Sequence, residues 1–181
     1  MSELLQDKSV SIQASGLEAE FSDFARRYRG RNFFRELATL IARKTGVSYV
    51  LVGYPKGEDL SQIKSAVLYA GGKLIDNYEY SLYGTPCENV IGRNCCYYPM
   101  GIQAMFPTDK ELQHLGIESY LGLPIFDENN RAVGLLALMD GKLIGNAASL
   151  ESALQVLVPR IARELKKRSQ EKPKNPNRSV A

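Results

Sequence analysis

The sequence predicts an α+β domain with a central, mainly antiparallel β-sheet and helices before and after it. At least five segments have the composition or the alternation of β-strands, and turn residues separate them. Amphipathic helical patterns precede and follow this strand-rich region. Because strands and long helices do not alternate along the chain, the pattern favours an antiparallel sheet over a parallel one. With 181 residues, the chain can build one domain with a substantial core.

The N-terminal part of the domain predicts two helical segments. In the first, apolar residues recur at helical spacing: Leu17, Phe21, Phe24 and Tyr28. Gly30 interrupts this pattern, so the two segments form either one broken helix or two helices. The second segment has apolar residues along one face of 33–44, and Gly46 supplies a helix C-terminal signal.

Six segments read as strands or extended chain. They are 47–54, 65–70, 78–83, 94–100, 117–126 and 131–140. The last two flank a polar turn at 127–130 and predict a hairpin. Apolar residues on both faces of 131–140 indicate a central strand that is covered on both sides.

Short helices are predicted between the strands. Thr85 and Thr108 each precede a glutamate by three residues (Glu88 and Glu111), which is the pattern of a capping box. The second of these helices is expected to end at Gly116.

A longer C-terminal helix is predicted over 148–168, with Pro159 kinking or splitting it. We expect a flexible N-terminus at 1–16, one domain over 17–168 and a disordered basic tail at 169–181.

The charge distribution argues against nucleic-acid binding. Residues 166–181 hold six basic side chains and one acid, whereas the other 165 residues carry a net charge of −2. No apolar run reaches the length of a membrane span, and the N-terminus lacks the pattern of a secretory signal. We therefore expect a cytoplasmic protein with no membrane partner.

Five blocks between 83 and 140 carry a family resemblance. They are Tyr-Gly-Thr-Pro-Cys-Glu at 83–88, Cys-Cys-Tyr-Tyr-Pro at 95–99, Phe-Pro-Thr-Asp at 106–109, Glu-Ser-Tyr-Leu-Gly-Leu-Pro at 118–124 and Val-Gly-Leu-Leu-Ala-Leu-Met-Asp at 133–140. In this order they resemble a GAF domain, the small-molecule-sensing module of bacterial signalling proteins. The resemblance extends more weakly over 18–167. It implies terminal helices on one face of the sheet, a ligand pocket on the other, and short helices that wall the pocket.

The candidate ligand-binding residues lie on segments expected to border that pocket. They are Tyr69, Tyr80, Cys87, Cys96, Tyr98, Met105 and Tyr120. Tyrosine offers a flat apolar ring with one hydrogen-bonding tip, which suits a small organic ligand. The alternative is that these tyrosines simply occupy half-buried strands. The chain lacks the cysteine–histidine pair of bilin-binding GAF domains and the Asn-Lys-x-Phe-Asp-Glu signature of those that bind cyclic nucleotides. The ligand and any cofactor therefore stay unknown.

The three cysteines, Cys87, Cys95 and Cys96, admit two interpretations. One group of GAF-like proteins reduces free methionine sulfoxide with cysteines, and such chemistry needs a thiol of lowered pKa. Cys87, at the second position of a short helix, is the candidate nucleophile. The flanking residues do not resemble that group, so we favour small apolar side chains in the core. With His114 as the only histidine, we expect no metal site.

The function predicted from the sequence is a non-catalytic, small-molecule-sensing GAF module in signal transduction. The expected partners are an unknown small molecule, a second copy bound through the terminal helices, and an output kinase or cyclase in trans or in a longer chain. Two alternatives stay open: a cysteine-dependent reductase of free methionine sulfoxide, and a dimerisation scaffold without a ligand.

Overall fold

The computed structural model describes residues 16–57 and 60–170. The predicted N-terminal segment and basic tail therefore lie outside the described residues, except for 16 and 169–170, which belong to helices. In chain order the elements are α1 (16–27), α2 (Phe33–Thr45), β1 (Tyr49–Pro55), β2 (Gln62–Ala70), β3 (Lys73–Ile75), β4 (Glu79–Ser81), α3 (Pro86–Val90), β5 (Cys96–Tyr98), α4 (Ile102–Met105), α5 (Lys110–His114), β6 (Ser119–Phe126), β7 (Ala132–Asp140), α6 (Ala147–Gln155) and α7 (Val158–Gln170).

The strands form one sheet in which every pair is antiparallel. Its order is β3-β2-β1-β7-β6-β5, and the short β4 also pairs with β2. β7 lies between β1 and β6, which confirms the predicted central strand. Its side chains alternate: Leu136 and Leu138 enter one core, whereas Leu135 and Ala137 enter another.

One face of the sheet, the helix face, is covered by α1, α2, α6 and α7. Phe21 of α1, Leu37 of α2, Leu154 of α6 and Ile161 of α7 are fully buried there. They pack with the strand residues that point to the same side, such as Leu138. The N- and C-terminal helices thus share one apolar core, because each helix has an apolar stripe on the side that faces the sheet.

Arg160 of α7 holds the two terminal helices together. Its guanidinium donates hydrogen bonds to the carbonyls of Ala25 (3.0 Å) and Tyr28 (3.1 Å) at the end of α1. It also lies 5.0 Å from the centre of the Phe33 ring and pairs with Glu164 at 3.0 Å. These bonds satisfy carbonyls that the end of a helix leaves without partners.

The opposite face, the pocket face, is covered by α3, α4 and α5. Its core contains Leu51 of β1, Ile63 of β2, Leu135 of β7 and Tyr120 of β6, with Ile102 of α4 packed against them. None of the helices in the described part of the chain is both long and apolar enough to cross a membrane.

The capping boxes are wrong in detail. The Thr85 hydroxyl donates to the Leu82 carbonyl, and Glu88 accepts from the backbone of Gly84 instead of Thr85. At the start of α5 the N-cap is Asp109, one residue after the predicted Thr108. Both helices are preceded by tight turns. In these turns, side chains such as Thr85 and Glu88 form hydrogen bonds to backbone groups other than those of a capping box.

The C-terminal helix is split, which is one of the two outcomes expected from Pro159. It forms two helices, with the break before Val158. Pro159 then lies in the first turn of α7, where a missing N–H costs nothing. The strand β3 and the helix α4 were not predicted, because elements of three or four residues carry too little periodicity.

Candidate functional site

The pocket face encloses a cavity of about 500 Å³. Strands β1, β2 and β7 form its floor, and the segments that carry β4, α3 and α5 form its walls. The apolar residues of the floor and walls are Leu51, Leu68, Ala70, Ile75, Leu112, Leu115, Ile117 and Met139. A volume of this size suits a small organic molecule.

Two tyrosines of the β4 segment form a flat aromatic wall. The rings of Tyr78 and Tyr80 stack with their centres 5.8 Å apart and an angle of 25° between their planes. Residues 78 and 80 lie on the same side because side chains alternate along an extended chain. Tyr78 is anchored from behind, since its backbone N–H donates to the Ser65 hydroxyl at 2.8 Å.

A buried polar cluster lies at the inner end of the cavity. The Tyr120 hydroxyl donates to the Cys87 sulfur at 3.3 Å. The Tyr80 hydroxyl is also fully covered; it makes no hydrogen bond of ordinary geometry among the described residues, and the Cys87 sulfur lies beside it. Burial raises the pKa of Tyr80 and Tyr120 well above their usual value, so both hydroxyls stay protonated.

Carboxylates stand at the mouth of the cavity. Asp109 caps α5: one of its oxygens accepts from the backbone N–H of Glu111 (3.1 Å) and of Leu112 (3.3 Å). Burial raises the pKa of Asp109. Burial, followed by the charges and hydrogen bonding of the neighbouring acids, raises the pKa of Tyr78 to about 12. The mouth therefore carries a negative potential.

The two walls meet at the rim. The Thr108 hydroxyl lies 3.5 Å from the Gly84 carbonyl, across from the turn that leads into α3. Gly84 has a φ of 71°, and a Cβ there would lie 2.6 Å from the Thr108 hydroxyl oxygen. Glycine is therefore needed both for the backbone conformation and for the close approach. Beside this contact, Tyr83 lines the cavity and is 85% exposed.

The fold is similar to that of solved GAF domain structures. The GAF domain of A. aeolicus nlh2, in an inactive state, matches with a TM-score of 0.65 and 12% identity, over 88% of this chain and 99% of that chain. The GAF domain of an Acinetobacter phosphoenolpyruvate-protein phosphotransferase gives 0.62 and 10% identity, over 86% and 94%. The chain has the GAF fold. The chromophore-binding domain of a Stigmatella aurantiaca bacteriophytochrome gives 0.65 and 9% identity, over 84% of this chain and 60% of that one.

Sequence comparison finds no such similarity: no family model matches the chain, and no curated protein matches it. Identities of 9–12% mean that the structures share little beyond the fold itself. The comparisons therefore show the fold of the chain and not the residues of its cavity.

The structure brings three of the seven predicted site residues to the cavity: Tyr80, Cys87 and Tyr120. Cys96 and Tyr98 pack beside them in the pocket-face core but do not line the cavity. The Tyr98 ring contacts Tyr120 at 6.1 Å between centres, so it supports the wall from behind. Ligand contact by any of these residues stays a prediction.

Tyr69 and Met105 lie elsewhere. Tyr69 points to the helix face and packs against its core, because the alternation of β2 places Leu68 and Ala70 towards the cavity. Met105 ends the short helix α4 and is 58% exposed. Neither side chain lines the cavity.

The thiols do not have the electrostatics of a nucleophile. Cys87 is the second residue of α3, as predicted, but burial raises its pKa instead of the dipole lowering it. Burial likewise raises the pKa of Cys96, and burial with the nearby Glu151 raises that of Cys95 to about 12. All three cysteines are free. Within 16–57 and 60–170, no three His, Cys, Asp or Glu residues are grouped as a metal ion would require.

Sequence reasoning missed Tyr78, Asp109 and Glu111. Tyr78 had a usable signal, because it shares the alternation of Tyr80 two residues later. Asp109 was visible only as part of a helix-start pattern, and that pattern says nothing about a cavity. Its position at the mouth depends on the long-range packing of α5 against the β4 segment.

Proposed function

We propose that this chain is a non-catalytic regulatory domain that binds a small molecule in the pocket-face cavity and signals through its terminal helices. The observation that carries the proposal is the cavity itself, about 500 Å³ in volume, with the stacked rings of Tyr78 and Tyr80 in its wall. A protein selected only for stability would fill such a space, because an empty volume destabilises the fold.

A continuous set of contacts links the cavity to the helices. The segment 76–78 leads into the aromatic wall at Tyr78. On its other side, Asp76 pairs with Arg35 of α2 at 2.6 Å, and Asn77 accepts from Arg168 of α7 at 3.5 Å. Movement of the wall on ligand binding would therefore shift two helices on the helix face. Through these contacts, ligand binding in the cavity would change the populations of two arrangements of the helices, as a sensor requires.

The test is ligand retention by a variant whose cavity is filled. Ala70 lines the cavity from the end of β2, so Ala70→Phe should occupy it. The matched control is Ala148→Phe on an exposed position of α6. After incubation with a bacterial metabolite extract, native mass spectrometry should show a bound small molecule on the wild type and on Ala148→Phe. Ala70→Phe should be bare; equal spectra for all three proteins would contradict the proposal.

A cysteine-dependent reductase is the second candidate, and the raised thiol pKa values count against it. The triple variant Cys87→Ser, Cys95→Ser, Cys96→Ser separates the two. A binding domain keeps its ligand when the thiols are removed, whereas a reductase loses all turnover of free methionine sulfoxide. Turnover by the wild type that disappears in the variant would favour the reductase.

The proposed output is a dimer of terminal helices that controls a kinase or cyclase module, in trans or in a longer chain. The amphipathic helices α1 and α7, joined by Arg160, support it. Free thiols in all three cysteines fit a cytoplasmic location. Sedimentation velocity should show a dimer at high concentration. A 20.1 kDa monomer at every concentration would contradict the dimer and the scaffold alternative alike.

A further inference from the structure

We infer that the cavity takes a small organic cation, with an apolar body against the stacked rings of Tyr78 and Tyr80 and an ammonium group facing Asp109. This inference rests on the proposed function and names its ligand class. It goes beyond the GAF fold, because the residues that carry it belong to this chain's own cavity wall.

Three acids and one base line the cavity: Glu79, Asp109, Glu111 and Lys110. Glu79 is neutralised from outside by Lys56 at 2.6 Å and Lys64 at 3.6 Å. Asp109 and Glu111 have no such partner: no ion pair to either is found among the described residues. Glu111 and Lys110 are both exposed to solvent, so the half-buried Asp109 is the charge that matters most inside the cavity.

The field of Asp109 extends into the cavity. Burial is the largest cause of the raised pKa of Tyr78, Tyr80 and Cys87, and the Asp109 charge adds to it in all three. A ligand with a negative charge would meet repulsion, and one with a positive charge would meet the counter-ion that Asp109 lacks.

The walls suit the rest of such a ligand. The faces of tyrosine rings attract a cation and also pack well against an aromatic or aliphatic body. The apolar floor at Leu51 and Met139 would hold the uncharged end.

Three probes of nearly equal size and different charge test the inference: phenethylamine, 2-phenylethanol and phenylacetate. Binding is measured by protein-observed NMR titration of the whole chain at low ionic strength. We expect phenethylamine to bind about tenfold more tightly than the alcohol, and phenylacetate to bind most weakly. Salt should weaken phenethylamine binding and leave the alcohol unchanged.

Asp109→Asn is the matched variant, because asparagine also caps a helix and keeps the start of α5. It should remove the preference for the ammonium probe, whereas the exposed control Glu128→Gln should keep it. Equal binding of alcohol and ammonium to the wild type, or tightest binding of phenylacetate, would overturn the cation inference and leave a working cavity. No binding of any probe at millimolar concentration would overturn the cation inference alone, because the ligand-retention test with Ala70→Phe judges the proposed function separately.

Discussion

The helix face and the pocket face of the sheet are built on the same strands but differ in how completely they are filled. On the helix face, four helices cover a continuous apolar core. On the pocket face, short helices leave a cavity of about 500 Å³, and Tyr120 and Cys87 are buried beside it. The comparison separates two tasks within one sheet: one side holds the fold together and the other keeps space for a ligand.

Two neighbours on β7 offer the largest contrast between the faces. Leu138 is fully buried on the helix face, and Met139 lines the cavity. Leu138→Ala should lower the free energy of unfolding by about 3–4 kcal/mol, because the helices cannot collapse into the gap. Met139→Ala should cost only about 2 kcal/mol, since water can enter the enlarged cavity. Urea unfolding of both variants checks this, and equal losses would show that the pocket face is packed as tightly as the helix face.

The second contrast concerns the join between the terminal helices. Arg160→Ala removes two hydrogen bonds to the end of α1 and the contact with the Phe33 ring. We expect a loss of about 2 kcal/mol in the free energy of unfolding, because the freed carbonyls are partly buried. Arg163→Ala is the control: it is exposed on the same helix and should cost less than about 0.5 kcal/mol. Similar values for the two variants would mean that Arg160 does not join the helices.

The smallest contrast is in alkaline stability, which comes from the tyrosines of the pocket face. In the folded protein the pKa of Tyr78 is raised to about 12, from 10.0 for the ordinary side chain. Its stabilising contribution is therefore complete below pH 10 and is lost as the pH rises to 12. Because Tyr78 is partly exposed, its share should be only about 1 kcal/mol.

Tyr78→Phe should flatten the fall in stability between pH 10 and 12. Thermal unfolding at several pH values measures it, with Tyr83→Phe at the exposed rim as the control. A steeper fall in Tyr78→Phe than in the wild type would contradict the assignment. Tyr80, Tyr120 and the three cysteines, whose pKa values burial also raises, contribute to what remains of the fall.

The helix face could be predicted from the sequence almost completely. The stripes of α1, α2 and α7 repeat over three or more turns, and the continuous apolar run of β7 marks a central strand. Such long periodic segments encode their burial locally. The split between α6 and α7 was predicted only as one of two alternatives, since Pro159 is compatible with either a kink or a break.

The pocket face could be predicted only in part, for a physical reason. Its walls are short segments whose positions depend on tertiary contacts, such as that between Thr108 and Gly84. Tyr80 and Tyr120 followed from strand alternation, but Tyr69 lies one residue out of phase and points to the other face. Asp109 lines the cavity because of where α5 lies in the fold, and no local sequence pattern encodes that position.

The crowding of tyrosines around the cavity also makes the protein its own optical probe. The chain has ten tyrosines and no tryptophan, so their excitation energy is not transferred to an indole. Four of the ten, Tyr78, Tyr80, Tyr83 and Tyr120, line the cavity. A molecule that enters the cavity therefore lies beside four of the ten emitters and should change the near-ultraviolet fluorescence of the unlabelled chain directly.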